Sequence, residues 1–348
     1  MSDTGSNSGH TSYIGTVITA ARALDAYGLD GTATLVEAGI DVNATPAFDA
    51  RVPTGLLHNA LLAHARDKLD PLFALKFADL VFPASYHAFG VMLTSATTMR
   101  AFCQRLTRYY GYVNTGDKLE FDEDSGILSY RQMAIPGLAE NPFEVVLHDA
   151  GWAATMVKMA RMVSHPDYAP RKISFGFPAP AEEFVSSYLA WFRCPIDYDA
   201  PLTAIHFAAD HLDDRLPGGN AELARHSEVL VYDYLKSFVE FDTVNCARMA
   251  LFELLPRGDF SLESLAASLA LSADEITAGL KALGTSYQQL LGDTRRELSE
   301  EYIERADLTI NEIAYMLGFS DCSNFARSFR RWTGKSPSDF REELHKGN

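Results

Sequence analysis

Residues 311–337 read NEIAYMLGFSDCSNFARSFRRWTGKSP, and the second half of that stretch gathers four basic residues and three aromatics in a chain that is otherwise acidic. The whole has 348 residues, 46 acidic against 30 basic side chains and a formal charge of −16. That balance repels a polyanion or an anionic membrane over about a Debye length, roughly 8 to 10 Å, so any contact with nucleic acid must be focused on a local patch. Ile310, Ile313, Ala314 and Leu317 recur at the spacing of one apolar helix face, and the same pattern stands 48 residues earlier as Leu262, Leu265, Ala266 and Leu269. Each set is followed by a two-residue step, Ala270-Leu271 or Gly318-Phe319, and a serine, Ser272 or Ser320, placed to cap a second helix. The second helices match at an offset of 49, with Ile276, Leu280 and Leu283 answering to Phe325, Phe329 and Trp332. A helix, a tight turn and a helix, present twice, predict an all-α region with two helix-turn-helix units. In that geometry one helix crosses the DNA backbone while the next enters the major groove.

The outward faces of the two second helices differ. The later one carries Ser323, Asn324, Arg327, Arg330 and Arg331, with Lys335 just beyond and Asp321 as the single acid. Arginine binds guanine or phosphate bidentately, and serine and asparagine reach base edges or phosphates, so these six residues are the predicted DNA contacts. A charge run more often only solvates a helix face; here it lies within a repeated helix-turn-helix. Phe325, Phe329 and Trp332, at the spacing of a buried stripe, are assigned to the core. The earlier helix presents Asp274, Glu275, Ala278, Lys281 and Ala282, which leaves no arginine to grip a phosphate. Ser272-x-x-Glu275 and Thr309-x-x-Glu312 have the form of capping boxes. Between the units, Arg295 and Arg296 are candidates for further DNA backbone contacts, or for pairing with Glu297 or Glu300. From Arg257 onward eleven basic residues face fifteen acidic ones, so binding should rest on a few placed contacts.

Upstream, residues 1–12 (MSDTGSNSGHTS) are small and polar and predict a disordered tail. Residues 13–112 show mainly helical periodicity, and 113–220 read as an α+β unit. The latter begins with a hairpin, KLEFDEDSGILSYRQ at 118–132, turning at Asp124, Ser125 and Gly126. A long helix from about Phe143 to Ser164 follows, then a strand in RKISFGF (171–177), a helix in AEEFVSSYLAWF (181–192), and strands in CPIDYD (194–199) and LTAIHFA (202–208). Residues 221–256 form a predicted helical connector, ending in breakers ahead of the last domain, 257–348. The four cysteines are far apart and form no CxxC pair, which suits reduced thiols. No apolar run approaches the roughly 20 residues that span a bilayer.

Signals for chemistry are sparse. HFAADHLDD (206–214) gathers His206, Asp210, His211, Asp213 and Asp214, all of metal-ligand type, but spread over a strand and a turn edge. His148 and Asp149 precede Trp152 on the long helix and either face a cavity or are satisfied in the core; the core reading is preferred. There is no GxSxG, P-loop or HExxH. The expectation is a protein that is not an enzyme, with no catalytic residue, metal site or cofactor.

The run LTINEIAYMLGFSDCSNFARSFRRWTGKSPSDFR (308–341) resembles the second helix-turn-helix of the AraC/XylS family of bacterial transcription regulators, through its LGF turn, Phe-x-x-x-Phe helix, Trp-Thr-Gly and Ser-Pro. SLESLAASLALSADEITAGLKALGTSYQQLLGDTRRELSEEYI (261–303) is similar to the family's first unit and linker helix. PTGLLHNALLAHARDKLDPLFALKFAD (53–79), ISFGFPAP (173–180) and FRCPIDYDAPLTAIHFAADHLDDRLPGGNAEL (192–223) look like the arabinose-binding-like effector domain of the subgroup typified by ornithine-utilisation regulators. The resemblance implies an α+β N-terminal effector-binding and dimerisation domain over 13–220 and an all-α double helix-turn-helix DNA-binding domain over 257–348. It further implies a cytoplasmic, ligand-responsive activator. The implied partners are double-stranded promoter DNA, a small-molecule effector, a second copy of the chain in a homodimer and RNA polymerase, with no membrane. It names no effector-binding residue. Where the family usually has basic residues on its first recognition helix, this chain has Asp274, Glu275, Ala278 and Gly279. The competing reading is a weak DNA binder acting mainly through oligomerisation or a protein partner.

Overall fold

In the computed structural model, which describes residues 10–42, 50–65, 69–132, 142–235, 243–305 and 307–346, the chain divides into two units, 1–239 and 240–348. The first opens with β1 (Thr11–Tyr13), α1 (Ile14–Ala26), α2 (Gly31–Glu37), β2 (Arg51–Pro53), α3 (Thr54–Ala65), α4 (Phe73–Leu80), α5 (His87–Thr94) and α6 (Met99–Tyr109). β1 pairs antiparallel with β2, Ser12 opposite Val52. The expectation of a disordered tail through residue 12 therefore fails at its end, while residues 1–9 lie outside the described part. The strand is held because the Arg51 guanidinium donates to Thr11 Oγ1 (2.7 Å), Thr11 O (2.8 Å) and Tyr112 O (2.7 Å), so an arginine 40 residues away ties the tail to the body.

The α+β part contains β3 (Asp117–Asp122), β4 (Ile127–Gln132), α7 (Pro142–Val163), β5 (Lys172–Ser174), α8 (Glu182–Phe192), β6 (Ile196–Asp197), β7 (Thr203–His206) and α9 (Ala221–Leu235). The strands form one sheet in the order β3-β4-β7-β5-β6. β3 and β4 are the expected hairpin, with Phe121 opposite Leu128 and the left-handed Gly126 (φ 69°) completing the turn. β5 and β6 are parallel, the case that requires a crossover, and α8 supplies it. α7 packs on α4 and on β7, and its residues Ala150, Ala153, Ala154, Val157 and Ala160 are fully buried. Small side chains along one helix face allow this close packing against a sheet.

α9 does not continue into a single connector. Its buried stripe, which includes Ala224, Val231 and the fully buried Glu228, belongs to the first unit, where it packs on α5 and where Glu228 meets Arg105 (3.0 Å) and Arg108 (3.2 Å) of α6. α10 (Thr243–Leu254) instead packs on helices of the second unit. The 221–256 segment read as one connector thus comprises two helices serving two cores, and residues 236–242 between them lie outside the described part. Helical periodicity reports a buried face without saying which core buries it.

After α10 the second unit is helical: α11 (Leu262–Ser268), α12 (Ala273–Ala282), α13 (Tyr287–Glu304), α14 (Ile310–Met316), α15 (Cys322–Thr333) and α16 (Pro337–Lys346). Leu265, Ala266, Ile276 and Leu280 are buried in the first copy, as are Ile313, Ala314, Leu317, Phe325 and Phe329 in the second. Two expected core positions differ: Leu283 is half exposed because it stands at the C-cap of α12, and Trp332 is only half-buried. Ser272 caps α12 within a reciprocal capping box with Glu275, but α15 is capped by Asp321 and not Ser320. The offset between copies rises from 48 to 49 across the turn, so the partner of Ser272 is residue 321.

Candidate functional site

Among the described residues, two places carry chemistry beyond the core. On α15 successive residues advance about 100°, which sets Ser323, Asn324, Arg327, Arg330 and Arg331 within an arc of about 120° opposite Phe325 and Phe329. The two phenylalanines fix the helix from behind: Phe325 and Phe329 are fully buried, and Phe329 packs edge-on against Phe340 of α16 at 5.4 Å. Ser323, Arg327, Arg330 and Arg331 are exposed. Among the described residues no ion pair engages Arg330 or Arg331. Asn324 donates to Ser320 Oγ (2.9 Å) and Asp321 Oδ2 (2.6 Å) and accepts from Arg327, so this pair of side chains is oriented by the N-cap. Hydrogen bonds from the Asn324 backbone and the Ser320 side chain hold the Asp321 carboxyl below its ordinary pKa, keeping it an anion that steadies this cluster. Lys335 pairs with Glu343, which a phosphate would have to displace.

Arg295, expected on the DNA backbone, is turned inward. Its guanidinium donates to Leu317 O (2.7 Å) and Gly318 O (3.0 Å) and lies between the rings of Phe260 and Phe319, 4.9 and 5.0 Å from their centroids. It therefore holds the turn of the second helix-turn-helix against the residue that precedes the first. Gly318 completes this clamp, since it is left-handed (φ 69°) and a Cβ there would stand 2.2 Å from the Phe260 ring. Arg296 takes the other expected course and pairs with Glu300 at 3.2 Å. On α12 the exposed side chains are Asp274, Glu275, Thr277, Ala278, Lys281 and Ala282, while Gly279 is set against Thr243 of α10.

The second place is a cavity in the first unit, about 870 Å³ of space free of protein atoms with its mouth included. It is walled by Phe73, Phe77, Tyr86, Phe89, Tyr110, Tyr130 and by α7 residues from Leu147 to Met159. Five buried polar atoms on its wall have no hydrogen-bond partner: Thr16 Oγ1, His58 Nδ1, Asp117 Oδ1, Trp152 Nε1 and Thr155 Oγ1. Native proteins leave few such atoms, so a cavity wall that gathers them is a candidate binding site. Burial, with a smaller push from the Asp149 charge, raises the Asp117 carboxyl to about 7 against a pull from the Tyr130 hydroxyl. Burial also lowers His58 to about 4 and His148 far below the imidazole range, where His58 repels it further. The two rings meet edge to face at 4.3 Å through their Nε2 atoms, as a neutral pair sharing one proton. His148, preferred as a satisfied core residue, is thus part of the wall, whereas Asp149 bonds Thr203 of β7.

The metal-type run at 206–214 is divided among local partners: Asp210 with Arg171 (2.6 Å), Asp213 with Arg100 (2.7 Å), His211 with Asp214 (2.7 Å) and His206 with Ser174 (2.9 Å). Among the described residues no three His, Cys, Asp or Glu side chains converge as a metal set.

Residues 28–216 match the family model described as the arabinose-binding domain of AraC transcription regulator, N-terminal, and residues 265–343 match a helix-turn-helix domain model. The ornithine utilization regulator of Pseudomonas aeruginosa is 27% identical over 275 residues, 78% of this chain and 79% of that protein. The transcriptional regulator VirS of Mycobacterium tuberculosis is 27% identical over 192 residues, 54% of each. The crystal structure of the transcriptional regulator CdpR from Pseudomonas aeruginosa aligns with 92% of this chain and 97% of its own, at 19% identity and a TM-score of 0.49.

Proposed function

The chain belongs to the AraC transcription regulators with an arabinose-binding N-terminal domain, and from that premise we propose that it binds promoter DNA through α15 and that a small molecule in its N-terminal unit modulates the binding. The observation that carries the DNA reading is the exposed arc on α15, where three arginines, a serine and an asparagine stand opposite two buried phenylalanines. Ser323, Asn324 and Arg327 read base edges, while Arg330, Arg331 and Lys335 hold phosphates. Three such cations neutralising phosphate give a slope of log affinity against log salt of about −3. The net −4 of residues 257–348 suppresses binding elsewhere on DNA. In this reading the protein acts in the cytoplasm as a homodimer that engages RNA polymerase as an activator, and it performs no catalysis.

A second reading has its own observation. α12 presents Asp274 and Glu275 to solvent, and Leu271 and Leu283 at its two ends are 41% and 50% exposed. An acidic and apolar face suits a protein surface better than a phosphate backbone. The test is capture of sheared source DNA by the purified full chain, beside Arg327→Ala, Arg330→Ala and Lys281→Ala. Discrete promoters retained with Lys281→Ala and lost with either arginine variant support reading through α15. No enrichment by the unaltered chain, with or without lysate metabolites, would discard it in favour of the protein-partner reading.

A further inference from the structure

The cavity of the first unit has features that restrict what it can hold. Gly151 lies buried in the middle of the 22-residue α7, where glycine weakens a helix, yet a Cβ built on it would meet nothing within 4 Å. Because it lines the cavity, the missing side chain is room for something else. The surrounding wall is dominated by aromatic and aliphatic side chains, and Tyr130 stacks on Trp152 at 4.8 Å with the planes 18° apart. A space of this size and character takes a ring-sized apolar body.

The polar end is set by charge. Asp117 is the one carboxyl on the wall, and no lysine or arginine lines it among the described residues. A carboxylate or phosphate ligand would be desolvated there with no cation to meet it and a like charge facing it. A protonated nitrogen meets the opposite situation: the unpartnered Asp117 Oδ1 as acceptor, with the stacked pair of Tyr130 and Trp152 rings on the same wall. Thr155 Oγ1 remains to accept a further N–H of the same ammonium or to bond a ligand hydroxyl, and so does His58 Nδ1 in the tautomer whose Nε2 donates to His148.

We propose that this cavity is the effector site and that its ligand is a small amphipathic amine, with an apolar body in the space beside Gly151 and its ammonium on Asp117 Oδ1. The inference rests on the reading of the N-terminal unit as an effector domain, and it adds the ligand class and the residues. Binding leaves the carboxylate ionised and paired, and orders the α7 and β3 walls around the ligand. The arrangement excludes amino acids with a free carboxylate, including ornithine, whose carboxylate meets no cation in the wall.

The test uses the full chain without DNA, read by thermal unfolding and by tryptophan fluorescence. The probes are benzylamine, phenethylamine and hexylamine, with phenylacetate, 2-phenylethanol and ornithine as comparators. At least one amine is expected to raise the unfolding temperature at millimolar concentration while phenylacetate and ornithine do not. Asp117→Asn, which keeps the shape, weakens that amine about tenfold or more, and Gly151→Leu, which fills the space, removes its binding. Circular dichroism checks that each variant folds, and Asp117→Asn carries the test should Gly151→Leu fail to. Failure of every amine overturns the proposal. So does phenylacetate or ornithine binding as well as an amine, 2-phenylethanol matching the best amine, or an amine indifferent to Asp117→Asn. Because no DNA is present, these outcomes are separate from the promoter-capture result: amine binding by a chain that captures no DNA would sink the regulator reading alone.

Discussion

Replacing Arg295 separates a structural arginine from a DNA-binding one. The side chain makes two charge-assisted hydrogen bonds, to Leu317 O and Gly318 O, and lies between two aromatic rings. Such hydrogen bonds are worth about 1.5 to 3 kcal/mol each, and a cation over a ring about 0.5 to 1 kcal/mol. The sum is an upper bound, because after substitution water re-solvates the turn carbonyls in part. Arg295→Met, which keeps the apolar stem, should therefore cost about 2 to 4 kcal/mol. In a unit of this size that lowers the unfolding temperature by roughly 10 to 20 °C. Arg295→Lys should lose nearly as much, since an ammonium cannot fork between two carbonyls and stack on both rings. Arg296→Met removes only a surface pair with Glu300 and should cost under about 1 kcal/mol. Calorimetry of the full chain resolves the transition of the second unit, and DNA affinity is then measured well below it. Unchanged unfolding of Arg295→Met together with weakened DNA binding would refute the clamp and return Arg295 to the phosphate contacts.

Two further perturbations follow from buried charge. Glu228 is fully buried between Arg105 and Arg108, so Glu228→Ala removes the carboxylate that both guanidinium groups face and should destabilise the first unit by about 3 to 5 kcal/mol in urea denaturation. Asp117 behaves in the opposite sense. Its folded pKa of about 7 lies above the ordinary 3.8, so the folded state holds the proton longer, and stability falls as pH rises between the two values. At about 1.4 kcal/mol per pH unit, and discounted for the coupling to Asp149, Asp117→Asn should stabilise the ligand-free chain by about 2 to 4 kcal/mol at about pH 8 and scarcely at about pH 4. Urea midpoints at the two pH values check this, and an equal effect at both would contradict it.

The amino-acid sequence by itself determined what depends on neighbours along the chain. The twofold pattern at an offset of 48, the capping boxes at Ser272 and Thr309, the hairpin turn at Gly126 and the charge contrast between α12 and α15 all follow from local spacing, and the family resemblance rests on the same short runs. Even the true cap of α15 was legible, in the step from 48 to 49 that makes Asp321 the partner of Ser272. Only the tertiary structure decided where side chains go once distant segments meet. Arg295 reads as one of two adjacent surface cations until the Phe260 and Phe319 rings close on it. α9 and α10 carry the same periodicity but bury it in different cores. The cavity joins Asp117 at the start of a strand, His58 and His148, 90 residues apart, and a glycine on α7. No local pattern connects them, because an unpartnered polar atom is a property of the surroundings it is folded into and not of the residue that bears it.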